Sequence, residues 1–576
     1  MGASRDPKAI VTACGLLLIL PALSLLYYVS VFGVNVIVLD EWDVVPLLQK
    51  MMNGTLSFSD LFAQHSEHRI LFPRVAMLVM ARLTQYNTVV EMLFSWVLVC
   101  LTGVFIFWVY RRKFSCESPR LLLMFLPVSL LLFNFKQYES ILWGVTCQIY
   151  LMVFGAVATF SLLEKSERMD IWFVLCLASA TVSSFSFLTG LLVWPVGFLQ
   201  VVSSRKEKIL RRLVLWCLVG TTVFVSYFCC YVKPSIHPPL NYVLENPVTA
   251  IRHFLALLGA VFSFDITMAI AFGLATVLIA LFVMAQMCRE RILRRSEIWL
   301  SLILFAVLSS VATTVGRAGF GVEQALSSRY TPITALGVAG LYLLALSVSE
   351  KLPPKSKSFG VHALIALILV GLVVSYQVGW QEGQSWRGSR ETGAYVLRTY
   401  KIQSDENIRN FLYPIPGASS RIKEIAQFLE QKKLNVFSEP VIDTSTLILS
   451  GSNTFFALDT INTHVAPEHT TLYVINSSQQ ETIMVTGWAV DKQVNDVASA
   501  VFITIDGSID IPCLYGRDRQ DVAEAYRNSK FRLSGFVATF GSSILSKGKH
   551  TISLKIVSKD RIHFYQPEQT YYVLVI

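Results

Sequence analysis

Eleven runs of nearly unbroken apolar residues fill the first two thirds of this chain, and no other feature limits its fold so strongly. They fall near 10–32, 87–109, 119–135, 143–163, 171–188, 190–203, 213–232, 267–287, 297–315, 331–348 and 359–377. A run of ~20 apolar residues can carry a helix across a hydrocarbon core of ~30 Å. Lipid leaves the backbone no other partner than its own helix or a closed barrel. The chain is 53% hydrophobic and 15% charged, whereas soluble proteins carry about 25% charged residues. The expected fold class is therefore a polytopic α-helical membrane protein of about 11 transmembrane helices. The weakest pair lies at 171–203, where Gly190 and Pro195 also fit a broken hairpin. The first run is too long for a signal-peptide core and no small-residue cleavage pattern follows it, so it reads as an anchor.

Charge gives the orientation. Of the 29 basic residues before position 378, 20 fall in alternate loops: Arg5, Lys8, Arg111, Arg112, Lys113, Arg120, Lys165, Arg168, Arg205, Lys206, Lys208, Arg211, Arg212, Arg289, Arg291, Arg294, Arg295, Lys351, Lys355 and Lys357. Basic loops stay on the cytoplasmic side. The N-terminus is then cytoplasmic, and an odd number of crossings puts the C-terminal part outside, as expected of a plasma (inner) membrane protein. The net charge of +10 follows from topology and calls for no nucleic acid partner. From 378 onward 20 basic residues balance 20 acidic ones. Ten scattered cysteines, with only Cys513 in the tail, form no CxxC zinc pattern and no disulfide framework there.

The outer segments hold the polar chemistry. Segment 33–86 contains two amphipathic stretches, Val44–Met52 and Leu71–Leu83, the second with Arg74 and Arg82 on its polar side. A second long loop, 233–265, starts with Pro234, Pro238 and Pro239 and continues as a surface helix with Arg252 and His253. Such helices lie along a bilayer surface.

Four sets of residues could do chemistry. In Asp40-Glu41-Trp42-Asp43, at the end of the first span, neighbouring carboxylates cannot both lose water while ionised. A raised pKa there suits a general base, although a hydrated cap on the span explains the same residues. Asp40 and Glu41 are the catalytic candidates, with Asp43 as a substrate contact or the base itself. His65, Glu67, His68 and Arg69 lack HExxH spacing; they read as polar loop, as a substrate-orienting set with Arg74, or as ligands of a divalent cation. Glu139 and Gln148 sit near an outer span end among Tyr138 and Trp143, whose rings an aromatic belt explains but whose carboxylate and amide it does not. Arg317, Arg329 and Tyr330 lie in a glycine-containing outer loop. Arginine suits bidentate phosphate contacts, and snorkelling to lipid headgroups is the plainer explanation.

Together, carboxylates in the first outer loop, arginines in a late outer loop and a large outer tail resemble the GT-C superfamily of glycosyltransferases. The segments His65–Arg74, Gln137–Glu139 and Ser327–Tyr330 are similar to those of bacterial membrane proteins of this kind, while the metal-dependent signature WWDYG is absent. The resemblance implies an inverting transfer of a monosaccharide from a polyprenyl-phosphate donor to a cell-envelope glycan or glycolipid. It implies Asp40 or Glu41 as the base and Arg317 or Arg329 on the lipid phosphate; no cofactor is certain, and both reaction with and reaction without a divalent cation fit the sequence. A transporter or flippase of polyprenyl-linked sugar, or a non-catalytic glycan-binding scaffold, are the alternatives. Transporters place charge deep in their spans and often carry inverted repeats; no repeat is visible here.

The expected domains are a membrane region over 1–377, a helical linker over 378–437 and an extracytoplasmic β-sandwich over 438–576. Gly417–Lys433 has helical spacing, and period-two stretches occur at Thr482–Trp488, Ala498–Ile505, Gly535–Thr539, His550–Val557 and Gln569–Ile576. The tail segments Gly487–Asp491 and Arg519–Val522 look like those of a module appended to such enzymes. Trp488, Tyr515 and Tyr526 would bind glycan if the sandwich does; otherwise it only shields a site.

Overall fold

A computed structural model describes residues 7–114, 116, 118–204, 208–291, 296–350, 359–452, 454–462, 464–465, 472–476 and 482–576. Arg5, Arg205, Lys206, Arg294, Arg295, Lys351, Lys355 and Lys357, used above for orientation, lie outside the described residues. Two compact units form, one from Met1–Val34 and Leu47–Arg387, the other from Asn35–Pro46 and Gly388–Ile576.

Among the described residues nine helices are long and apolar enough to cross a membrane: Lys8–Phe32, Thr88–Lys113, Ser118–Ile141, Gly144–Lys165, Ile209–Phe228, Ile266–Arg289, Glu297–Phe320, Ser328–Ser349 and Val361–Arg398. Their ends follow the sequence. Asn87 and Asp265 cap two of them by accepting from Val89 N and Met268 N. Arg111, Arg112 and Lys113 close the helix begun at Thr88, where the carbonyl end of the dipole favours cations. Leu16, Leu20 and Leu23 remain exposed on the first helix, as a lipid-facing surface requires.

Segment 171–203, the weakest pair in the sequence, differs from these nine. It forms two shorter apolar helices, Ile171–Ser184 and Leu188–Ser204. The first has 14 residues, a length of about 21 Å, too short for the core. The turn between them is tight because Gly190 has no side chain; a Cβ there would lie 2.0 Å from the Ser183 carbonyl oxygen.

Leu71–Leu83 forms the expected helix, and its two arginines differ. Arg82 is exposed together with Val75, Val79 and Leu83, while Arg74 is buried with Met77, Leu78 and Ala81. The helix Phe359–Arg398 has 40 residues, so the boundary expected between 377 and 378 falls inside it.

The second unit holds the helices Asp405–Phe411 and Ser419–Gln431 and two sheets. In one sheet Gly548–Val557 runs antiparallel to Ala500–Ile505 and to Tyr571–Val575. In the other Thr482–Asp491 is flanked by Phe455–Ile461 and Gly535–Gly541. Ile483 and Val485 from one sheet share a core with Ile503, Leu554 and Val573 from the other, a sandwich. The Asp506-Gly507 turn has both residues left-handed, which matches the twist of the strands it joins. Trp488 packs with Val490, Val522 and Phe531, and the Tyr515 hydroxyl donates to Ala489 O at 2.6 Å. Of the three aromatic residues expected to bind glycan, Tyr526 alone is well exposed, at 43%.

Candidate active site

The loop that carries the three acids belongs to the second unit. Leu39–Asp43 is one 3₁₀ turn. Leu39 has φ +52°, a left-handed backbone that disfavours any residue with a Cβ by about 1–2 kcal/mol. It is held there by a hydrogen bond from its own amide to Leu412 O at 2.8 Å. The turn gives each acid a different environment. Glu41 is buried and its Oε2 accepts from Val38 N at 3.0 Å, capping the turn. Asp43 pairs with Arg421, Nη2 to Oδ1 3.1 Å. Asp40 is half-buried beside Tyr413, whose hydroxyl is raised in pKa first by burial and then by Asp43 and Asp40, against Arg421. Of the two catalytic candidates, Glu41 is thus a capping group, and Asp40 is the acid at the turn's surface.

In the first unit two clusters form at helix ends. His65 and His68 exchange backbone hydrogen bonds, 2.8 Å each way, making a miniature hairpin whose tip presents Glu67. Three groups converge on that carboxylate. Arg317 Nη2 bonds Oε1. His68 Nε2 lies 3.4 Å from Oε1 and His237 Nε2 lies 3.5 Å from Oε2. His68 Nδ1 accepts from Leu188 N at 3.2 Å, which leaves the Nε2 proton directed at Glu67. Burial raises the Glu67 pKa, but His68, Arg317 and the Ser66 hydroxyl outweigh it and bring it to about 2. The His237 pKa is also lowered: burial, together with Arg317 and Lys233, outweighs the pull of Glu67. The 233–239 loop reaches this cluster because Gly319 lacks a Cβ, which would lie 2.5 Å from Pro238 Cβ.

The second cluster joins the Ser118–Ile141 end to the Ser327–Tyr330 turn. Arg329 Nε lies 3.2 Å from Glu139 Oε1 and donates to Ser327 Oγ at 3.1 Å. Ser327 and Ser328 donate to Glu139 Oε2, and Ser328 Oγ accepts from Glu139 N at 3.0 Å. Lys136, buried close by, places Nζ 3.2 Å from Leu326 O and over the Phe264 ring. The Arg317 and Arg329 side chains are 26% and 37% exposed. Both arginines are thus neutralised by a carboxylate and still open to a ligand.

Other expected substrate ligands have different positions. Arg69 donates to the carbonyls of Tyr227, Phe62 and Cys229, and Arg74 to those of Asp60, Leu61 and Ala63. These two buried guanidiniums brace the backbone of the loops. Gln148 is buried in the first turn of Cys147–Lys165 and is not bonded to Glu139. Tyr330 packs with Ala256, Leu257, Val322 and Ala325. Among the described residues no three His, Cys, Asp or Glu side chains gather as metal ligands; the Glu67 oxygens face Arg317 and the two imidazoles instead. His237, Lys136, Ser327 and Arg421 were not singled out by sequence. The one signal was for His237, which stands among three prolines of a stiffened outer loop.

No family profile matches the chain. An uncharacterized protein of Archaeoglobus fulgidus is 25% identical over 246 residues, 38% of this chain and 61% of that protein. The match therefore spans less than two thirds of the relative's length. Two solved structures are similar. ArnT from Cupriavidus metallidurans bound to undecaprenyl phosphate has a TM-score of 0.40 and 13% identity, covering 74% of this chain and 90% of that one. Its apo state has a TM-score of 0.41 and 11% identity, covering 93% of this chain and 99% of that one. Likeness of this degree assigns neither a residue's role nor a reaction.

Proposed function

We propose that the protein is a multi-pass membrane glycosyltransferase that moves a monosaccharide from a polyprenyl-phosphate donor to a hydroxyl of an envelope glycan or glycolipid. One observation carries the proposal: the half-exposed Arg317 and Arg329 sit at the ends of membrane-length helices, where the charged head of a lipid would be. A lipid-borne phosphate needs this combination of an apolar flank and fixed cations. Arg317, Arg329 and Lys136 would hold the phosphate, with Glu67 and Glu139 setting the geometry of the guanidiniums in its absence.

The acceptor oxygen attacks the anomeric carbon as the bond from that carbon to the phosphate oxygen breaks, inverting the centre. Asp40 takes the acceptor's proton, and the electron pair of the broken bond remains on the phosphate. Cations placed where that charge develops supply the kind of stabilisation that is often the largest single term. Asp43, His65 and His68 are proposed as polar groups around the sugar, and the excess of basic residues in the alternate loops supports an extracytoplasmic face for the reaction.

Turnover of lipid-linked sugar in detergent tests this. Asp40→Asn should lower kcat on the order of 10²–10⁴-fold. A wild-type rate from Asp40→Asn, with the loss found in Asp43→Asn instead, would move the base to Asp43. Wild-type rates from both would remove the proposed base, whereas a wild type that turns over no lipid-linked sugar would remove the enzyme proposal.

A further inference from the structure

The acid-bearing loop follows the first membrane helix in sequence, yet its contacts are those of the C-terminal unit. Leu412 accepts the amide of left-handed Leu39 at 2.8 Å. Arg421 holds Asp43 at 3.1 Å. Asn435 Nδ2 donates to Asn35 Oδ1 at 2.7 Å. Trp42 is wholly buried, and Gly393 would bring a Cβ within 3.8 Å of Val36 Cγ2. A non-glycine residue stays left-handed only where its surroundings over-determine it, and such positions gather at functional sites. Here the strained residue is the immediate neighbour of Asp40.

We propose that residues 388–438 are the positioning element of the catalytic loop, with Leu412 fixing the backbone before Asp40 and Arg421 acting as a positioning residue through Asp43. This rests on Asp40 being the base. It gives the C-terminal unit a task other than binding glycan or shielding: it fixes the loop that carries Asp40. The Arg421–Asp43 pair is suited to a test because its partners are 51% and 35% exposed, and exposed ion pairs contribute little to stability. Removing it should disturb placement without unfolding the protein.

The test uses the full chain in detergent, as wild type, Arg421→Ala, Arg421→Lys and Asp43→Asn. Hydrogen exchange is read on peptides covering 35–46, together with kcat, KM for the donor and Tm. The wild-type 35–46 segment should be protected like the helix Ser419–Gln431. Arg421→Ala should speed its exchange about fivefold or more. It should lower kcat about tenfold while KM and Tm hold, and Arg421→Lys should recover most of the loss. The clamp is overturned if wild-type 35–46 exchanges as fast as a free loop. It is equally overturned if Arg421→Ala leaves kcat unchanged, or lowers it only in step with Tm. A protected segment in a wild type that turns over no lipid-linked sugar sinks the glycosyltransferase proposal, and the positioning role with it.

Discussion

Four arginines of the first unit show how a shared side chain separates into two roles by its partners. Arg69 and Arg74 donate to backbone carbonyls in the interior, whereas Arg317 and Arg329 meet carboxylates at a half-open surface. Arg69→Met should therefore leave three carbonyls unsatisfied and cost about 2–4 kcal/mol, read as a lowered Tm. Arg329→Met should leave Tm nearly unchanged and raise KM for the donor. Equal Tm losses in both would remove the distinction. Sequence could not separate these residues, because burial depends on which carbonyls a folded loop brings within reach. Glu67 makes a prediction about acid. Its folded pKa of about 2 lies below the ordinary 4.5, so its contribution to stability is complete above pH 4.5 and is lost as pH falls from there toward 2. Thermal unfolding of Glu67→Gln should be flatter than wild type across that window. Parallel curves would mean that the Arg317 and His68 contacts do not hold the carboxylate ionised.

At the scale of elements, what was legible follows from period and length. Runs near 20 apolar residues gave the long helices, and alternation gave Thr482–Asp491, Ala500–Ile505 and Gly548–Val557 within a few residues of their ends. What was not legible depends on contacts far apart in sequence. On Leu71–Leu83 Arg82 is exposed while Arg74 is buried, because the carbonyls of Asp60, Leu61 and Ala63 come within its reach. The placement of Asp40 depends on Leu412 and Arg421, more than 350 residues away. His237 reaches Glu67 only because the turn at Gly319 admits Pro238. Gly319→Ala should therefore push the 233–239 loop outward, cost about 1–3 kcal/mol and return the His237 pKa toward its ordinary value. NMR titration of the imidazole checks this, and an unchanged pKa would show that the loop does not depend on that close approach.

On the scale of the whole molecule, the chain combines a bundle of membrane-length helices with a two-sheet domain, and it divides its candidate chemistry between two compact units. The first holds Arg317 and Arg329, proposed to bind a lipid phosphate. The second holds Asp40, the proposed base. In the proposed donor the phosphorus and the anomeric carbon are joined through a single oxygen. A structure with a polyprenyl-phosphate sugar analogue bound tests that division most directly. The account predicts phosphate oxygens within about 3 Å of the Arg317 or Arg329 guanidinium, and the Asp40 carboxylate within reach of an acceptor hydroxyl at the anomeric carbon. A phosphate held elsewhere, or a different acid at that carbon, would contradict it.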